Sequence, residues 1–70
     1  MELFEALRAL RKRLADEQGV PPYVIFGDVS LVEMSRRKPA NEAELLDITG
    51  VGRVKLERYG AEFLDTIAAF

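Results

Sequence analysis

Cysteine and histidine are both absent from this 70-residue chain. Without cysteine there is no disulfide scaffold. Without either residue there is no zinc site of the ordinary kind, whose ligands are thiolates and imidazoles. The same absences remove the Ser-His and Cys-His pairs of nucleophilic catalysis. No run approaches the roughly 18 consecutive apolar residues that a membrane span needs. The N-terminus, Met-Glu-Leu-Phe-Glu, lacks the basic start and apolar core of a signal peptide. The lack of cysteine fits a reducing compartment. Carboxylate chemistry survives these exclusions, but a chain this short leaves little room for a concave pocket. The expectation is one non-catalytic domain over residues 1–70, with no metal, no cofactor of its own and no membrane partner.

Apolar residues make up 49% of the chain and charged residues 31%, which is a globular composition. A domain of this length buries only about 60% of the surface its unfolded chain exposes, so its core must be built from short elements. The net charge of −2 is unevenly spread. Residues 1–20 are neutral: Arg8, Arg11, Lys12 and Arg13 offset Glu2, Glu5, Asp16 and Glu17. Residues 21–40 carry +1 and residues 41–70 carry −3. Nucleic-acid-binding domains are usually clearly basic, so only local basic clusters support that function here.

Leu3, Leu7, Leu10 and Leu14 recur at steps of 4, 3 and 4 and predict a helix over about 2–18. Phe4 and Ala6 widen the stripe, Lys12–Asp16 and Arg13–Glu17 are i,i+4 pairs, and Gly19 suits the C-terminal stop. Pro21 and Pro22 prevent Val20–Phe26 from opening as a helix interior. Its large apolar residues predict an extended or one-turn segment across the core, with Val24, Ile25 and Phe26 mostly inside. A second helix is expected over about 28–37. Asp28 is one candidate N-cap, and Ser30 with Glu33 has the spacing of a capping box. Arg36, Arg37 and Lys38 suit its C-terminal dipole, and Pro39 stops it. Asn41 with Glu44 opens a short helix over about 41–47. Thr49-Gly50-Val51-Gly52 reads as a tight turn. A fourth helix runs from Arg53 to about Arg58, Tyr59-Gly60 interrupts or bends it, and a fifth follows with Phe63, Leu64 and Ile67 inward. No strand is expected. The fold class is therefore all-α, a compact five-helix bundle with a helix-hairpin-helix-like Gly-Val-Gly turn.

Three constellations carry candidate chemistry. In the first, Gly50 and Gly52 would let the backbone approach a phosphate, the start of the next helix favours an anion, and Arg53 and Lys55 add charge. The plain alternative is that Gly-x-Gly turns two helices sharply, with Val51 packed inward. In the second, Arg8, Arg11 and Lys12 on the first helix lie near Tyr23, which is the recipe for single-strand binding by charge and ring stacking; the alternative is a solvated face beside a core tyrosine. In the third, Glu42, Glu44, Asp47, Glu57, Glu62 and Asp65 make an acidic C-terminal part that would repel DNA and suit a basic protein partner, with Glu57, Glu62 and Asp65 as the docking candidates; the alternative is helix caps and a solvated surface. The carboxylates are spread over separate elements, unlike the metal-binding clusters of nucleases.

The run Val20-Pro21-Pro22-Tyr23-Val24-Ile25-Phe26-Gly27-Asp28, with Leu31 and Glu33-Met34 after it, resembles the HRDC (helicase and RNase D C-terminal) domain. So does Leu45 to Gly60, with its Gly-Val-Gly-x-x-Lys-Leu-x-x-Tyr-Gly pattern, followed by Phe63 and Ile67. The opening Leu3-Phe4-Glu5-Ala6-Leu7-Arg8-Ala9-Leu10-Arg11 is similar to the family's first helix. Nearly the whole chain is covered, and it looks more like RecQ helicases than like RNase D. The resemblance implies a five-helix accessory module after a helicase core, monomeric, bacterial, cytoplasmic and nucleoid-associated. It implies weak binding to single-stranded or partly duplex DNA, with Tyr23 on the DNA-binding surface and Arg8, Arg11 and Lys12 near it. It also implies a parent that uses ATP, magnesium and zinc outside these residues. The slight acidity departs from the basic character of DNA-binding members. It leaves a second implied role open, docking on the helicase core or on repair proteins through Glu57, Glu62 and Asp65.

Overall fold

Leu3, Leu7, Leu10 and Leu14 line the buried face of α1 (Leu3–Gln18) in the computed structural model, which describes residues 2–70. Gly19 ends the helix in the left-handed conformation, its N–H returning to the carbonyls of Ala15 and Asp16. Pro22 then occupies the first turn of α2 (Pro22–Ile25), where its missing N–H has no partner to lose. Of the three apolar residues that close this segment, Ile25 and Phe26 are fully buried. Val24 is not; it is exposed, because a single helical turn can aim only part of its circumference inward.

Next come α3 (Asp28–Arg37), α4 (Glu42–Leu46) and α5 (Arg53–Ala68), with no strand among the described residues. The N-cap of α3 is Gly27, and neither expected side-chain cap forms. Asp28 and Ser30 are drawn instead to partners distant in sequence. The α4 start is as expected: the Glu44 N–H donates to Asn41 Oδ1 (2.9 Å), while the Glu44 carboxylate accepts from the Ala40 N–H (2.9 Å).

The expected break at Tyr59-Gly60 does not occur. α5 is continuous through both residues. A Cβ at Gly60 would lie 2.9 Å from Leu56 Cδ1 and 3.8 Å from Leu45 Cδ2, so this glycine opens space where α4 packs on α5. Tyr59 is buried, and its hydroxyl donates to Gln18 Oε1 (3.0 Å). The five helices are thus reached by a different division from the expected one: the proline-rich segment forms α2, and the last two expected helices are one.

Phe26 is the hub of the core. Its ring packs edge-to-face on Phe63 (4.9 Å between centroids) and Tyr59 (6.2 Å). Such pairs add about 0.5–1.5 kcal/mol beyond area burial. Leu31 and Met34 of α3, Leu45, Ile48 and Val51 around the turn, and Ile67 of α5 complete the enclosure. Phe70, which carries no such role, is exposed.

Candidate nucleic-acid interface

Tyr23 is 70% exposed although both neighbours in the chain hold it firmly. On one side stand Pro21 and Pro22, with fixed φ. On the other, Ile25 and Phe26 are fully buried. The ring is therefore mounted on a short rigid helix and presented to solvent. Nothing in the described hydrogen bonds or aromatic pairs uses it. Beside α2 runs an open groove along α1, lined by Glu5, Arg8, Ala9, Lys12, Asp16 and Pro22, with Arg11 at its floor.

The three basic residues expected there have different fates. Arg8 is exposed; its guanidinium sits 3.5 Å from the Glu5 carboxylate and 5.9 Å from the centre of the Phe4 ring. Lys12 is exposed and pairs with Asp16 at 2.9 Å. These local pairs are worth little in water, so a phosphate can compete for either cation. Arg11 differs. It is buried, and its Nη1 donates to the Phe26 carbonyl (3.1 Å) and to Asp28 Oδ1 (2.8 Å). Its side chain retains only 10% of its exposure, against 81% for Asp28. Unlike those of Arg8 and Lys12, its charge is already engaged inside the fold. The sequence did contain the signal. Arg11 is four residues after Leu7 and three before Leu14, on the border of the apolar stripe.

At the Gly-Val-Gly turn the bonds close inward. Ser30 Oγ donates to the Thr49 carbonyl (2.6 Å), and the Thr49 N–H donates to Glu33 Oε2 (3.1 Å). Arg37 donates to Glu33 Oε1 (2.9 Å). The Glu33 carboxyl is held below its ordinary value by hydrogen bonds from the Thr49 side chain, from Arg37 and from the Thr49 backbone, in that order. Gly50 has φ +85°, and a Cβ there would stand 2.5 Å from Ser30 Oγ. That close approach accounts for the glycine without any ligand. Gly52 is exposed, with extended backbone and open space around its Cα, and it precedes Arg53 at the start of α5. Arg53 is exposed, whereas Lys55 is half-buried with its ammonium 5.6 Å from the Phe26 ring centre. Gly50 and Gly52 lie in the turn before α5, Arg53 and Lys55 lie in its first turn, and neither of these two cations forms an ion pair among the described residues.

On the acidic face, Glu62 is already engaged by Arg13 (2.7 Å), which also binds Glu17 (3.1 Å). The hydrogen bonds to Glu62 and then Glu17 raise the Arg13 guanidinium further above its ordinary value. Glu57 and Asp65 are exposed and form no ion pair among the described residues. No cluster of three or more metal-ligating side chains occurs among the described residues, and no described helix is long and apolar enough to cross a membrane.

A family model described as "HRDC domain" matches residues 1–67. This chain belongs to the HRDC domain family. An HRDC domain is a small accessory domain of RecQ helicases and has no catalytic centre. The chain is 55% identical over 69 residues to the ATP-dependent DNA helicase RecQ of Bacillus subtilis (strain 168), covering 99% of this chain and 12% of that protein. To the ATP-dependent DNA helicase RecQ of Haemophilus influenzae it is 47% identical over 66 residues, covering 94% of this chain and 11% of the relative. Among solved structures it is similar to "D. radiodurans RecQ HRDC domain 3", with a TM-score of 0.93 and 38% identity over 97% of this chain and 90% of that one. The chain spans about a tenth of the length of the curated relatives it matches.

Proposed function

We propose that this HRDC domain is an accessory DNA-binding module of a RecQ-like helicase, acting through Tyr23 and the cations beside it. The exposed, rigidly mounted Tyr23 ring carries the reading. A phenol ring held in water by buried neighbours is suited to stacking on an unpaired base, and stacking tolerates any sequence because every base has a flat face. Arg8 and Lys12 supply phosphate contacts along the groove, and the end of α5 with Gly52 and Arg53 is a further point of approach. Few phosphates are neutralised, so binding is weak, sequence-independent and salt-sensitive. Single-stranded or partly duplex DNA is the partner, in the bacterial cytoplasm at the nucleoid. ATP hydrolysis, magnesium and zinc are assigned to the helicase outside this domain, which is monomeric.

Fluorescence anisotropy of a labelled single-stranded oligonucleotide, titrated with the domain at low and moderate salt, tests this. Saturable binding that weakens steeply with salt is the expected result; no binding at low salt overturns it. One observation favours a second reading in that event. Glu57 and Asp65 are exposed without ion pairs, in a segment carrying −3, and suit docking on a basic protein surface of the helicase. Crosslinks from those residues to the helicase core would be expected then.

A further inference from the structure

We infer that Arg11 and Asp28 form a positioning clamp for the Tyr23 platform. This rests on the proposed DNA-binding role of Tyr23. The arrangement is specific. α2 is one turn long, and a single turn has too few internal hydrogen bonds to hold itself in place. The Val24 N–H returns to the Pro21 carbonyl (3.0 Å), and the buried Ile25 and Phe26 anchor the core side of the turn. Arg11 adds a polar tie. Its Nη1 reaches out of α1 to the carbonyl of Phe26, just beyond the C-terminus of α2, and to Asp28 at the first position of α3. One buried guanidinium therefore ties α1 to both ends of the joint between α2 and α3. Asp28, whose carboxylate remains mostly in water, balances the buried charge at little desolvation cost. The clamp fixes where α2 lies, and hence where the Tyr23 ring stands relative to Arg8 and Lys12 on the same helix as Arg11.

A direct phosphate contact by Arg11 and a clamp predict opposite signs for Asp28→Ala. Removing that carboxylate frees Arg11 and makes the domain more positive, so a phosphate-contacting Arg11 would bind single-stranded DNA more tightly. The clamp predicts looser binding, with a loss no larger than the roughly 5- to 150-fold expected for removing a stacked ring. Asp28 is exposed, so the variant is expected to fold, and circular dichroism checks this. Amide hydrogen exchange provides a readout that needs no DNA: the Val24 amide should exchange faster in Asp28→Ala than in the parent domain. A double-mutant cycle then asks whether the effect runs through the ring. In a Tyr23→Ala background, Asp28→Ala should cost no further affinity. Arg11→Lys should bind as poorly as Asp28→Ala, because an ammonium does not reproduce the guanidinium's fixed donors. Tighter DNA binding by Asp28→Ala, an unchanged Val24 exchange rate, or an equal loss with and without Tyr23 would each overturn the clamp. If the parent domain binds no DNA, the function proposed above fails, and hydrogen exchange alone decides whether Arg11 and Asp28 hold α2.

Discussion

The α2 edge and the Gly-Val-Gly turn look alike on paper, since each pairs cationic residues with an unusual local feature. In the fold they differ in one respect. Around the turn, every unusual residue except the exposed Gly52 has an internal reason. Gly50 makes room for Ser30, Thr49 gives its carbonyl to Ser30 and its N–H to Glu33, and Val51 is buried. At the α2 edge the supporting residues have internal reasons and Tyr23 has none: Ile25 and Phe26 fill the core, Arg11 holds the joint, and the ring they carry faces water. A feature already explained by packing says little about ligands. A rigid exposed aromatic left over after that accounting is a stronger indication of a partner.

The contrast breaks most visibly at Gly50. Alanine there must adopt a positive φ, at about 1–2 kcal/mol, and must displace Ser30 from a bond worth about 1 kcal/mol. Gly50→Ala is expected to lower stability by about 2–3 kcal/mol in denaturant unfolding, and Gly52→Ala, which meets nothing within 4 Å, to change it little. An equal effect at both glycines would mean that the turn is not closed by Ser30.

Tyr23→Ala should do the reverse. Thermal unfolding is expected to move by no more than about 0.5 kcal/mol, as for an ordinary surface residue, while single-strand affinity falls by about 1–3 kcal/mol. A large loss of stability with no loss of binding would make the tyrosine structural. A smaller effect separates the cations. Lys12→Gln should reduce the slope of log affinity against log salt by about 0.7, the value for one phosphate contact on a single strand. Arg11→Lys should leave the slope as it is.

The smallest effect concerns acid. Glu33 has its carboxyl lowered in the folded state, so the stability it contributes is complete above its ordinary value of 4.5 and is lost as pH falls through the lower folded value. Glu33→Gln should flatten that part of the acid-unfolding profile. An unchanged profile would show that Thr49 is held without the carboxylate.

Much of the fold was legible because it is local. The leucine spacing of α1, the Gly19 stop, the Asn41–Glu44 cap and the proline limits on α2 depend on residues within about four positions of one another, so the chain alone determined them. The site was legible only in part: the prolines and apolar residues around Tyr23 predicted a segment lying across the core, while the exposure of Tyr23 came from the family resemblance and not from local spacing.

What only the tertiary structure decided lies between residues far apart in the chain. Asp28 and Ser30 had the chemistry of helix caps, yet Arg11, 17 residues earlier, and Thr49, 19 residues later, claimed them. Tyr59-Gly60 had the composition of a break, yet α5 runs through both, with Tyr59 buried and bonded to Gln18 and Gly60 leaving room where α4 packs. Arg11 had the look of a solvated cation, yet a carbonyl and a carboxylate on another element drew it inside. Local sequence fixes which conformations are cheap, and the choice among them falls to partners that meet only when the core closes, because a buried polar group must find its hydrogen bond wherever the fold supplies one.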